Sequence, residues 1–129
     1  MRCLSIAIVV LAAALGAPAR ADILIGLGAP MTGKDAWFGE QLERGATLAV
    51  TDLNAAGGVL GQKVQLITAD DFCDPEQAVA AARKLVSDGV IFVDGHYCSG
   101  ASIPASEVYA AAGVLMICPI STDPKEPPV

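Results

Sequence analysis

The glycine-rich segment near the N-terminus comes close to two nucleotide-binding motifs without completing either. Gly28 to Lys34 follows the spacing of a phosphate-binding P-loop, but Asp35 stands where a Ser or Thr should contact magnesium. A carboxylate there would repel phosphate, and Pro30 removes one of the backbone N–H groups that cradle it. The dinucleotide fingerprint fails because Met31 occupies a position that must be glycine. Neither nucleotide site is predicted.

Two further segments carry nucleophilic or acidic side chains but lack catalytic partners. The segment from Gly95 to Gly100 resembles a nucleophile elbow, which would need glycine where Tyr97 stands. His96 has neither a second histidine for a metal nor a paired acid at helical spacing, so a structural role is expected. Asp70 and Asp71 are expected to form a solvated turn. We therefore predict that the protein is not an enzyme and has no metal site or cofactor.

The charge balance argues against a nucleic-acid partner. The 129 residues include 14 acidic and 8 basic side chains, which gives a net charge of −6 without a lysine or arginine cluster. Nucleic-acid binding depends on neutralising phosphates, so no such partner is predicted. Because 53% of the residues are apolar, we expect one small domain with a packed core.

Residues 1–21 are predicted to be a cleaved secretory signal. Arg2 precedes an apolar run from Leu4 to Leu15 that is too short to span a bilayer, and Ala19-Arg-Ala21 has the A-x-A pattern of a cleavage site. The exported product would begin at Asp22. The alternative is a buried N-terminal helix.

The exported product would retain three cysteines, Cys73, Cys98 and Cys118. An oxidising compartment permits a disulfide among them, and no pair has the C-x-x-C spacing of a redox or zinc site. Counting alone leaves the pairing open.

Apolar periodicity along the rest of the chain alternates between strands and helices. Continuous apolar runs predict four strands, and apolar residues at spacings of three and four predict three helices. The predicted strands are residues 23–28, 64–68, 90–93 and 114–117, with helices at 38–56, at 75–88 and through 108–109. Asp74 is expected to cap the second helix, and Ser99 or Ser102 the third.

This order predicts an α/β, Rossmann-like fold, a parallel sheet with helices on both faces. Ligands bind such sheets beyond the carboxyl ends of the strands, where the strand order reverses. Ser99 offers a hydroxyl beside the unpaired N–H groups of a helix start, which suits a carboxylate, although it could equally cap its helix. Thr122 adds a hydroxyl and an N–H from a neighbouring loop. Trp37 could line an apolar pocket or pack against the first helix.

Seven short segments together resemble one protein family. They are Gly28-Ala-Pro-Met-Thr-Gly33, Trp37-Phe-Gly39, Gly45-Ala46, Asp52-Leu-Asn-Ala-Ala-Gly-Gly58, Asp70-Asp-Phe-Cys-Asp-Pro75, Gly95-His-Tyr-Cys-Ser99 and Pro104-Ala-Ser106. From about Asp22 to Pro124 the chain resembles the periplasmic substrate-binding proteins of branched-chain amino-acid ABC transporters, the leucine/isoleucine/valine-binding family of type I binding folds.

The resemblance implies a domain organisation and a disulfide. The family has two α/β lobes that close on an amino acid, and residues 22–122 are similar to part of the first lobe, with residues 123–129 forming an irregular Pro-rich tail. The family's acidic partner for the ligand ammonium lies in the second lobe, so we expect a truncated or frame-shifted product. The alternative is a free-standing minimal binder. Cys73 and Cys98 match the family's disulfide, which leaves Cys118 outside it.

The resemblance also implies roles for individual residues in ligand binding. Ser99 matches the residue whose hydroxyl and N–H hold the ligand α-carboxylate, and Thr122 matches a second contact to the carboxylate and ammonium. Ile120 would offer its carbonyl to the ammonium. The residues expected to border the aliphatic side chain are Trp37, Tyr97 and Cys98.

The predicted function is therefore solute binding in the periplasm. The intact protein would deliver a branched-chain or similar amino acid to the membrane permease of an ABC transporter. One alternative is a sensor that uses the same fold for short amides or other small acids. An alternative of another class is an exported α/β enzyme remnant, for which the sequence offers no nucleophile–base pair.

Overall fold

Four strands and three helices alternate along residues 21–123, the part of the chain that the computed structural model describes. The strands are β1 (Ile23–Ala29), β2 (Val64–Asp70), β3 (Phe92–Gly95) and β4 (Leu115–Ile117), and the helices are α1 (Ala36–Ala55), α2 (Pro75–Asp88) and α3 (Ser99–Ala112). The predicted α/β class is confirmed. The predicted signal and Pro-rich tail lie outside the described residues, apart from Ala21 and Asp123.

The sheet is parallel throughout and has the strand order β2-β1-β3-β4. Gly26 of β1, a central strand, pairs with Ile67 of β2 on one side and Val93 of β3 on the other. The chain steps from β1 to β2 in one direction and then crosses to β3 in the other. The strand order therefore reverses between β1 and β3, and the loops that follow these strands flank the expected ligand crevice.

The helices lie on both faces of the sheet, as predicted. Because the two crossovers run in opposite directions and such crossovers are right-handed, α1 lies on one face and α2 on the other. Helices α2 and α3 pack against each other over a core that includes Leu85, Val93 and Tyr109. A Cβ on Gly26 would lie 3.1 Å from the side chains of Leu85 and Val93, so the missing side chain lets α2 approach β1 closely.

Most predicted element boundaries differ from the structure by one or two residues. Strand β3 begins at Phe92 rather than residue 90, because the N–H of Val90 still bonds to Leu85 after the left-handed Gly89 that ends α2. The predicted cap of α3 is also wrong, since Cys98 is the N-cap residue and Ser99 the first helical residue.

Asp74 caps α2 as predicted. Its side chain accepts hydrogen bonds from the backbone N–H groups of Glu76 and Gln77, both at 3.0 Å. Within residues 21–123, no helix is both long enough and apolar enough to cross a membrane.

Candidate functional site

The first turn of α3 brings polar groups together at the carboxyl end of the sheet. The Ser99 side-chain oxygen accepts a hydrogen bond from the N–H of Thr122 at 3.2 Å and another from the Ser121 hydroxyl at 2.9 Å. Both bonds use the Ser99 oxygen as the acceptor, so its hydroxyl proton remains available for donation. The first-turn N–H groups and the positive end of the helix dipole lie beside it, and this environment suits a carboxylate.

Asp70 connects the loop after β1 to the end of β2. Its carboxylate accepts the N–H groups of Met31 at 2.9 Å and Phe72 at 3.0 Å, and the Thr32 hydroxyl at 2.6 Å. Partial burial acts to raise the pKa of Asp70, but these three donors outweigh burial and hold the pKa below its ordinary value of 3.8. The loop between β1 and α1 is thereby fixed beside the crevice.

The aromatic residues predicted for the ligand side chain lie at the rim of this crevice. Tyr97, in the loop after β3, stacks on Phe38 of α1 with ring centroids 4.6 Å apart. The neighbouring Trp37 is 62% exposed, and the Arg44 guanidinium lies 5.7 Å from the centre of its ring. Trp37 therefore does not staple α1 to the core, and its ring remains accessible to a ligand. Ile120 is exposed as well.

A disulfide joins Cys73, after β2, to Cys98, which precedes Ser99. Its Cα atoms are 5.4 Å apart, and it is the pairing that the resemblance implied. Cys118 lies outside the bridge, and its thiol donates to the Gly95 carbonyl at 3.3 Å. Asp35 lies close to the two bridged sulfur atoms. Because these sulfurs are bonded to each other, they are not thiolate ligands for a metal.

Asp71 lies in a different environment from the one expected. The prediction of a solvated turn is wrong for this residue, whose side chain is fully buried. Its Oδ2 lies 2.6 Å from Nδ1 of His96, which is also fully buried, and Nε2 of His96 lies 3.1 Å from the Tyr109 hydroxyl. Side chains alternate along a strand, so Asp71 continues the inward-facing side that includes Ala69, whereas Asp70 faces the other way.

An open groove of about 310 Å³ lies elsewhere, between β2 and α2. Thr68, Asp70, Gln77 and Lys84 contribute to its lining. The Lys84 ammonium is 2.6 Å from the Asp88 carboxylate, and Asp70 is engaged by the loop after β1. Because this groove lies away from the reversal of strand order, the first turn of α3 is the stronger candidate site.

Comparison with known proteins identifies the family. A family model described as periplasmic binding protein matches residues 22–128. The chain belongs to this family. An amino acid binding protein of Pseudomonas aeruginosa is 54% identical over 112 residues, and Leu/Ile/Val-binding protein homolog 2 of Brucella abortus is 51% identical over 111 residues. Each alignment covers 86% of this chain and 30% of the relative's length.

A solved structure of the family has the same architecture. The branched-chain amino acid transporter substrate binding protein LivJ from Streptococcus pneumoniae, solved in complex with isoleucine, gives a TM-score of 0.77 at 32% identity. The match covers 81% of this periplasmic binding protein chain and 30% of LivJ. The expected relationship to branched-chain amino-acid binding proteins is therefore confirmed.

Some of the predicted site residues are in contact or adjacent in the chain. Ser99 and Thr122 are hydrogen-bonded, and Tyr97 and Cys98 directly precede Ser99 in the chain. Sequence reasoning missed Ser121 and Phe38. Both could have been found from their neighbours, since each lies next to a residue that was predicted to contact ligand.

Proposed function

We propose that the protein is the substrate-binding component of an ABC transporter for branched-chain or related aliphatic amino acids. The observation that carries this proposal is the Ser99 hydroxyl at the first turn of α3, hydrogen-bonded to the loop of Thr122. The names of the relatives and the isoleucine complex of LivJ support the same ligand class.

The chemistry of an amino acid explains the proposed roles of the polar residues. Its carboxylate needs donors, which the Ser99 hydroxyl and the N–H groups of the α3 first turn supply. Its ammonium needs acceptors, a role that we assign to the Ile120 carbonyl and the Thr122 hydroxyl. Donors and acceptors from two adjacent loops would thereby recognise both charges of one zwitterion.

The aliphatic side chain of the ligand needs an apolar surface that excludes water rather than further polar partners. We assign this surface to Trp37, Tyr97 and Cys98. Tyr97 is already held in place by stacking on Phe38, and Trp37 presents an exposed ring on the same helix as Phe38. The disulfide to Cys73 fixes the backbone between Tyr97 and Ser99.

The wider proposal concerns location and partners. We propose that the protein is exported through a signal at residues 1–21, acts in the periplasm, and delivers its ligand to a membrane permease without catalysing a reaction. Residues 22–122 are proposed to correspond to part of the family's first lobe.

A titration with leucine and its two half-analogues tests the proposal. The labelled protein would be followed by NMR while L-leucine, 4-methylpentanoate, which lacks the amino group, or 3-methylbutylamine, which lacks the carboxylate, is added. We expect the amides of Ser99 and Gly100 to shift with the two carboxylates and not with the amine.

We expect this binding to be weak. The described residues supply one wall of the site, where each hydrogen bond competes with water and contributes only about 0.5–1.5 kcal/mol. The dissociation constant for leucine should therefore be about millimolar or weaker. Shifts at these amides with the amine alone, or none with saturating leucine, would contradict the proposal.

A further inference from the structure

Three buried side chains form a continuous hydrogen-bonded chain beneath the loop that carries Ser99. Asp71 and His96 are fully buried, and Tyr109 is 1% exposed. The carboxylate of Asp71 meets Nδ1 of His96 at 2.6 Å, and Nε2 of His96 meets the Tyr109 hydroxyl at 3.1 Å. The remaining carboxylate oxygen of Asp71 accepts the N–H of Cys73 at 2.9 Å.

The chemistry of these groups indicates which atom donates in each hydrogen bond. An ionised carboxylate only accepts hydrogen bonds, so Nδ1 of His96 carries the proton that it shares with Asp71. Burial, followed by the negative charge of Asp71 and the nearby Cys118, raises the pKa of Tyr109 far above its ordinary value. Tyr109 therefore keeps its hydroxyl proton, which it can donate to the Nε2 of a neutral imidazole.

The imidazole is also held by the surrounding backbone. A Cβ on Gly28 would lie 2.6 Å from the imidazole Cε1, so the His96 ring lies directly against β1. The Ser102 hydroxyl is 3.1 Å from both the His96 and the Cys98 carbonyls. Residues on β1, on α3 and after β2 thus fix the loop from which Ser99 projects.

We propose that Asp71, His96 and Tyr109 form a positioning chain that sets the orientation of Ser99 toward the ligand carboxylate. The inference rests on the proposed function, because the carboxylate at Ser99 is part of that proposal. None of the three residues is exposed enough to touch the ligand. They act through the backbone between Gly95 and Ser99.

The test compares two variants of the same helix in the full chain. Tyr109→Phe removes one hydroxyl from the chain and keeps the ring that packs in the core. Ser106→Ala is the matched control, because its buried hydroxyl bonds to the Ile103 carbonyl within α3 and does not contact the Ser99 loop. Leucine affinity would be measured by NMR titration. The amide chemical shifts of Ser99 and Thr122 would be recorded before ligand is added.

The expected effects differ between the two variants. Tyr109→Phe should shift the Ser99 and Thr122 amides in the unliganded protein and weaken leucine binding about fivefold, the effect of one lost neutral hydrogen bond. Ser106→Ala should change the affinity less than about twofold. Unchanged Ser99 and Thr122 amides in Tyr109→Phe, or equal weakening in Ser106→Ala, would overturn the positioning role.

A second measurement keeps the inference testable if Tyr109→Phe does not fold. The imidazole nitrogen resonances of the unmodified protein should show a protonated Nδ1 and an Nε2 that accepts a hydrogen bond. A proton on Nε2 with an unprotonated Nδ1 would overturn the assigned chain. If leucine produces no response in the unmodified protein, the proposed function fails, while the unliganded amide shifts and imidazole spectrum still decide the positioning role.

Discussion

The two faces of the sheet differ in how completely their side chains are buried. On the α2 and α3 face, Leu85 and Tyr109 are almost completely buried, whereas on α1 Leu48 is 62% exposed and Leu53 is 41% exposed. The polar half of the proposed site, Ser99, is the first residue of α3 and therefore belongs to the well-packed face. A directional hydrogen bond needs a fixed geometry, while an apolar contact tolerates more variation. The apolar half of the site, including Trp37, accordingly lies on the less buried helix.

Removing the disulfide is the change expected to lower the free energy of unfolding most. Cys73 and Cys98 are 25 positions apart, and replacing both by serine should lower the free energy of unfolding by about 3.5 kcal/mol in the chain-entropy treatment. Urea unfolding measures this loss. Peptide mapping without reduction should recover the Cys73–Cys98 bridge, and a bridge containing Cys118 in the main species would contradict the account.

A pair of leucine substitutions tests the difference between the two faces directly. Leu85→Ala should lower the free energy of unfolding by about 3 kcal/mol, because it leaves a cavity among fully buried side chains. Leu48→Ala, at an exposed position on α1, should change it by less than about 0.5 kcal/mol. Equal losses in the two variants would show that both faces contribute similarly to stability.

The elements were more predictable from the sequence than the contacts between them. The Asp74 cap, the glycine that ends α2 and the apolar runs all act locally, so their positions follow from neighbouring residues. The environment of Asp71 depends on α3, whose Tyr109 is 38 positions away along the chain. Its burial was therefore missed, although the alternation of side chains along β2 pointed to it.

Ser99 shows the same limit at the site. A serine near a helix start can cap its own helix or point toward a neighbouring loop, and the local sequence allows both. Contact with the loop of Thr122 selects the second arrangement, because Cys98 takes the N-cap position. The position at a helix start allowed both roles, and the family resemblance favoured contact with the ligand, which stays a prediction.

The smallest expected effect concerns Asp70, which holds the loop before α1. Its pKa is lowered in the folded protein, so its contribution to stability is present above the ordinary value of 3.8 and disappears as the pH falls through the folded-state pKa. Asp70→Asn should cost less than about 1 kcal/mol at pH 7, since solvent screens this partly exposed group. The difference from the unmodified protein should shrink as the pH falls through the lowered pKa of Asp70.

Unfolding measurements at several pH values would check this dependence. Asp52→Asn, at an exposed position on α1, is the matched control. A stability difference for Asp70→Asn that grows as the pH falls would contradict the role of these hydrogen bonds.

The most direct test of the carboxylate site is calorimetry on a two-lobe protein. Residues 22–123 would replace the corresponding part of the Brucella abortus relative, and leucine binding would be compared with and without Ser99→Ala. Loss of a hydrogen bond to a charged group should weaken binding at least about tenfold. Equal leucine affinity with and without the Ser99 hydroxyl would contradict the assignment of the carboxylate to the first turn of α3.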